Sequence, residues 1–141
     1  MSTSSVNVAI ENLFTTGWGV TTPISYDNVA FTPPATAWVS IEVWDGTATP
    51  AALGVAPKLR RFNGTVFVTI YTPLTGGSKP ARDLAVTAAA IFRGVQVSGI
   101  TFKEPEVKRV GTQAATINGV QSTTQWYTMV VSIAFFADSV V

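Results

Sequence analysis

Apolar residues recur at Val6, Ala9, Ile10, Leu13 and Phe14, the i, i+3, i+4, i+7, i+8 stripe of an amphipathic helix. Serines ahead of the stripe suit a helix start, and Gly17 and Gly19 are expected to stop it. From Ala37 to Asp45 the period shortens to two, with Val39, Ile41 and Val43 on one face and Trp38, Ser40, Glu42 and Trp44 on the other. This alternation predicts a strand. A second strand follows from Gly64 to Thr72, setting Val66, Val68 and Ile70 against Thr65, Phe67, Thr69 and Tyr71. The stretch between them, Asp45 to Pro57, is rich in Ala, Gly and Pro with no period and reads as a long loop.

Pro73 and the Gly76-Gly77 pair close the second strand. Ser78 is placed to cap a second helix, with Pro80 in its first turn, where a missing N–H costs nothing. Leu84, Ala85, Ala88, Ile91 and Phe92 form its buried stripe, and Gly94 follows as a C-terminal stop. Val95 to Val110 reads as strand interrupted at Pro105, and Asn118-Gly119 predicts a hairpin turn. The last strand, Trp126 to Phe136, places Tyr127, Met129, Val131, Ile133 and Phe135 opposite Trp126, Thr128, Val130, Ser132, Ala134 and Phe136, and is long enough to be central. No internal repeat or linker divides the 141 residues, so one domain over 1–141 is expected. The element order suits an α+β fold: a largely antiparallel, mixed sheet with two helices on one face, plus a long hairpin or loop.

Charge then narrows the reading. Only 12% of residues are charged against 47% apolar, about half the usual charged share, as suits a surface largely covered by partners. Net charge is +1, and the densest basic cluster is merely Lys58, Arg60 and Arg61, so the electrostatic footprint of nucleic-acid binding is missing. No apolar run reaches membrane-spanning length, and the first residues lack the pattern of a signal peptide, which predicts synthesis in the cytoplasm and no membrane partner. Asn63-Gly64-Thr65 fits a glycosylation acceptor, a pattern that matters only in a secretory chain.

The chain has neither cysteine nor histidine. Disulfides, thiolate metal sites and the commonest acid–base group are thereby excluded, and serine nucleophiles lose their usual base. Glu104 and Glu106 lie two apart, a spacing open to a carboxylate-dependent hydrolase, but they are interleaved with Lys103 and Lys108 and broken by Pro105, as in a solubilised edge strand. Gly76-Gly77-Ser78-Lys79 lacks the full spacing of a phosphate-binding loop and reads as turn plus cap. Asp27, Asp45, Asp83 and Asp138 form no calcium-loop spacing. No catalytic residue, metal ligand or cofactor is therefore expected, and enzyme activity is not.

Five aromatic residues fall on strand faces that alternation assigns to solvent: Trp38, Trp44, Phe67, Tyr71 and Trp126. The explanations that stand side by side are a subunit interface and a bland one, in which helices cover both sheet faces or the sheet curls into a second core. A small-molecule groove built on the tryptophans is a third. With Arg60 and Arg61, these five are the candidate subunit or tube interface.

One extended signature runs from Thr22 to Trp38: Thr22-Pro23-Ile24, then Asn28-Val29-Ala30-Phe31 and the Pro33-Pro34 elbow leading into the Trp38 strand. Leu13-Phe14 at the first helix, Arg60-Arg61 before the Gly64 strand, Tyr71-Thr72-Pro73 with its glycine turn, and Ile91-Phe92 ending the Ala-rich helix follow in order. Together these resemble the tail terminator-like proteins of long-tailed bacteriophages. The resemblance implies a virion structural protein that assembles as a ring, commonly of six copies, on the end of the tail tube. Such a ring stops tube polymerisation and offers the head-attachment surface. Its partners would be copies of itself, the tail tube protein and head–tail connector or neck proteins, with DNA passing through the pore without specific binding. A neck or head–tail joining protein is the alternative of the same kind. The stretches Asp45 to Pro57 and Thr112 to Ser122 are expected as loops reaching a neighbour, the tube or the pore.

Overall fold

The computed structural model describes residues 3–50, 59–117 and 120–140. Helix α1 runs Thr3–Trp18 and helix α2 Lys79–Phe92. The strands are β1 Ile24–Tyr26, β2 Trp38–Pro50, β3 Leu59–Thr72, β4 Gln96–Val97, β5 Ile100–Phe102, β6 Glu106–Ile117 and β7 Val120–Val140. All seven form one sheet in the order β1-β2-β3-β7-β5-β4, with β6 also on β7. Only β1 and β2 are parallel; every other pair is antiparallel. The fold is thus α+β with an open mixed sheet, as the element order predicts.

Both helices cover the same side of the sheet. Val6, Ile10, Phe14 and Trp18 of α1 and Ala81, Ala85, Ala88, Ala89 and Phe92 of α2 are buried against Val39, Ile41, Val66, Val68, Ile70, Met129, Val131, Ile133 and Phe135. Alternation in the strands therefore reports the true faces. Phe14 joins the helices, stacking on Trp18 at 5.2 Å and on Phe92 at 6.1 Å. Gly17 lies inside α1 instead of ending it: a Cβ there would sit 3.0 Å from Ile91 Cγ1, so glycine is what lets the two helices approach. Gly19 makes the actual stop at φ +61, its N–H donating to Thr15 O at 3.0 Å.

One expectation at the helix starts changes and another stays untested. With α1 beginning at Thr3, Ser4 and Ser5 are helical, and any cap falls outside the described residues. Ser78 does stand at the N-cap of α2, but its backbone is αR and its side chain makes no capping bond.

Where they are described, the two predicted loops are strand. β2 continues through Asp45 to Pro50, and β3 begins at Leu59; residues 51–57, the rest of that stretch, lie outside the described residues. A register shift between Asp45 and Ala48 erases the alternation there, which is why the sequence hides the strand. Likewise Thr112–Ser122 belongs to the arms of the β6–β7 hairpin, with Ile117 opposite Val120 and register shifts between Arg109 and Gly111 and between Ala114 and Thr116. The Asn118-Gly119 turn lies outside the described residues. β7 is central: β3 flanks it on one side, β5 and β6 on the other.

Candidate assembly interface

The side of the sheet away from the helices divides in two. At one end the β6–β7 hairpin, twisted by its bulges, closes a second small core of Trp38, Tyr71, Ala115 and Trp126, with Phe31 and Ile117 packed on it. Trp38 is fully buried, stacked on Tyr71 at 4.2 Å, edge-on to Trp126 at 5.9 Å and 4.9 Å from Phe31. Of the candidate residues, Trp38, Tyr71 and Trp126 are thus not solvent-facing: the expectation from alternation is corrected because the sheet curls over its own end. The Phe31-Thr32-Pro33-Pro34 elbow gains a packing role, delivering Phe31 to the Trp38 ring. Burial, followed by the Glu42 charge, pushes the Tyr71 hydroxyl above its usual range.

The other end is open. Trp44 is 61% exposed, its indole edge-on to Phe67 at 5.9 Å and its Nε1–H donated to Glu42 Oε2 at 2.9 Å. Across the strands, Glu42, Phe67, Ser132 and Glu106 form one row, and Ser40, Thr69, Val130 and Lys108 the next. Ser40, Thr65, Phe67, Thr69, Val130, Ser132, Ala134 and Phe136 are all half-buried, with no helix over them. The centre of this face is uncharged, and its charges stand at the strand edges. An uncharged, partly aromatic centre with a charged rim is the anatomy of a protein interface. Val130, Ala134 and Phe136 join it unnominated, although they share Trp126's parity along β7.

Arg61 closes the far end of the face. Its guanidinium donates to both Asp138 oxygens, at 2.8 and 3.0 Å, and lies 4.2 Å over the Phe136 ring. Those bonds hold the Asp138 carboxyl below its ordinary range. Arg60 is its neighbour in β3, opposite Pro50 and Ser139 in register, and Lys58 lies outside the described residues. The carboxylates weighed for hydrolysis are not brought together as a pair. Glu104 precedes β6 and accepts from Arg93 at 2.9 Å, whereas Glu106 sits 4.0 Å from Lys108. No group of residues suited to hold a metal occurs among the described residues, and no described helix is long and apolar enough to cross a membrane.

A sheet covered by helices on one side, and on the other closed over at one end and left uncovered at the other, makes this an α+β module with an open sheet face. The comparisons then give the family. A family model described as phage tail terminator protein matches residues 5–135, and the chain belongs to that family. No curated protein matches it. A solved structure, 21% identical over 97% of this chain and 96% of its own, superposes with a TM-score of 0.63, which shows a shared fold and nothing of function. The family places the protein among structural components of the phage tail, a virion component and not normally an enzyme.

Proposed function

We propose that this protein, a single domain over 1–141, caps the finished tail tube. Several copies, commonly six, close into a ring on the tube end, stop further tube subunits from adding, and present the surface to which the filled head attaches. Its partners on this reading are other copies, the tube protein and the head–tail connector, with DNA crossing the pore unread. The observation that carries the proposal is the open sheet face centred on Phe67, Ser132 and Ala134, uncharged and left uncovered by the chain's own helices. Membership of the phage tail terminator family supports a tail assembly as the setting for that face. Capping is contact without turnover, so it needs shape and burial rather than a reactive group.

Light scattering over a wide concentration range, followed by imaging with purified tail tubes, tests the reading. A multimer of about six 14.9 kDa chains, or density confined to tube ends, supports it. A chain that stays monomeric and leaves tube ends bare refutes it. Binding only on the head side would make it a neck protein.

A further inference from the structure

All nine lysines and arginines lie beyond Pro57; residues 1–57 hold four carboxylates, Glu11, Asp27, Glu42 and Asp45, and no base. The two stretches thus carry −4 and +5. Strand order turns this asymmetry along the chain into one across the molecule. The acidic stretch builds α1, β1 and β2 at one edge of the sheet, while the first part of β6, Glu106 to Arg109, and its connection from β5 stand toward the other; the far part of β6 curls back, so that Gln113 and Ile117 reach the β2 side. Within the basic stretch every acid is already neutralised: Asp83 by Lys79, Glu104 by Arg93, Glu106 by Lys108 and Asp138 by Arg61. Among the described residues Glu11, Asp27 and Glu42 form no ion pair, and neither do Lys103 and Arg109 at the opposite side.

The acidic edge also carries a cleft. A cleft of about 460 Å³ opens beside β2, lined by Asp27, Ser40, Glu42, Trp44, Tyr71 and Gln113 among others, with no basic residue in its walls. Carboxylates beside aromatic rings hold an ammonium or guanidinium by charge-assisted hydrogen bonds and cation–π attraction. Trp44 Nε1–H, bonded to Glu42, fixes one carboxylate against one ring. The surroundings are electronegative: burial and then Asp27 raise the Glu11 carboxyl, and Glu42 adds to the rise at Tyr71.

We infer that this cleft receives the exposed basic side chains of the β5–β6 edge, Arg109 foremost with Lys103, from the next copy of the chain. The inference rests on the ring reading and specifies its contact. Opposite edges meet head to tail, one patch on a different patch, which is the heterologous contact that closes a ring. Arg109 has no carboxylate of its own to leave, only the Tyr127 ring at 5.9 Å.

Charge reversal tests it. Glu42 and Arg109 are both exposed, so E42R and the double variant K103E/R109E are expected to fold as the native chain does, which circular dichroism checks. Each variant alone should lose at least tenfold in self-association, on tubes or in solution. An equimolar mixture should recover it, since the reversed cleft then faces the reversed edge. Wild-type multimers with an indifferent E42R, or two defects that do not rescue each other, overturn this inference and leave the ring reading standing. If E42R forms normal multimers yet no longer seats on tubes, the cleft's occupant is a tube subunit and self-pairing is overturned. A wild-type chain that never multimerises overturns both.

Discussion

Replacing Trp38 by alanine separates the two roles that the sequence leaves open for it. The ring is fully buried and touches Tyr71, Trp126 and Phe31 with centroids 4.2, 5.9 and 4.9 Å away. Truncating a buried aromatic of this size costs about 3–5 kcal/mol, and the Tyr71 stack places W38A toward the upper end. Trp38→Phe is expected to cost much less, about 1–2 kcal/mol, because it keeps a ring on Tyr71. It also removes an indole N–H that is buried without a partner among the described residues, so no described hydrogen bond is lost. Urea unfolding followed by far-ultraviolet circular dichroism at monomeric concentrations gives both values, with an unchanged slope confirming that the same surface is exposed. A W38A loss below about 1 kcal/mol would refute the second core and return Trp38 to the interface.

Gly64→Ala is expected to destabilise by about 1–3 kcal/mol in the same assay, because the new Cβ would lie 2.5 Å from Phe135 Cζ and 2.7 Å from the Trp44 carbonyl oxygen. Trp44→Ala, on the open face, should change monomer stability by no more than about 1 kcal/mol while weakening tube-end binding in the imaging assay; an equal loss of both would make Trp44 a core residue. Glu11→Gln should raise the melting temperature near neutral pH. The folded carboxyl is held above its ordinary value by burial and by Asp27, so folding is disfavoured as pH rises above the ordinary value, and in full beyond the raised one. The gain should fade as pH falls through the raised value toward the ordinary one, where folded and unfolded chains are both protonated, and a pH-independent gain would refute this assignment.

Period-two alternation by itself determined which residues of β2, β3 and β7 face the helices, because a strand offers only two sides and the buried one must be apolar. The helix stripes and the lack of histidine and cysteine were equally legible, whereas α2 ends at Phe92 with Arg93, in extended conformation, as its C-cap, and Gly94 follows at φ +67. The concentration of bases beyond Pro57 was legible too, as a fact about the chain. Strand order alone made that fact spatial, setting β3 and β7 between Glu42 and Arg109. Tertiary structure also divided five aromatics of one parity into two fates. Trp38, Tyr71 and Trp126 lie beneath a curling hairpin, while Trp44 and Phe67 lie on the open side. No local pattern encodes that division, since it depends on bulges near Gly111 and Ala115 that break alternation in the segment doing the covering. Burial on the far side of a sheet is a property of what arrives from elsewhere in the chain.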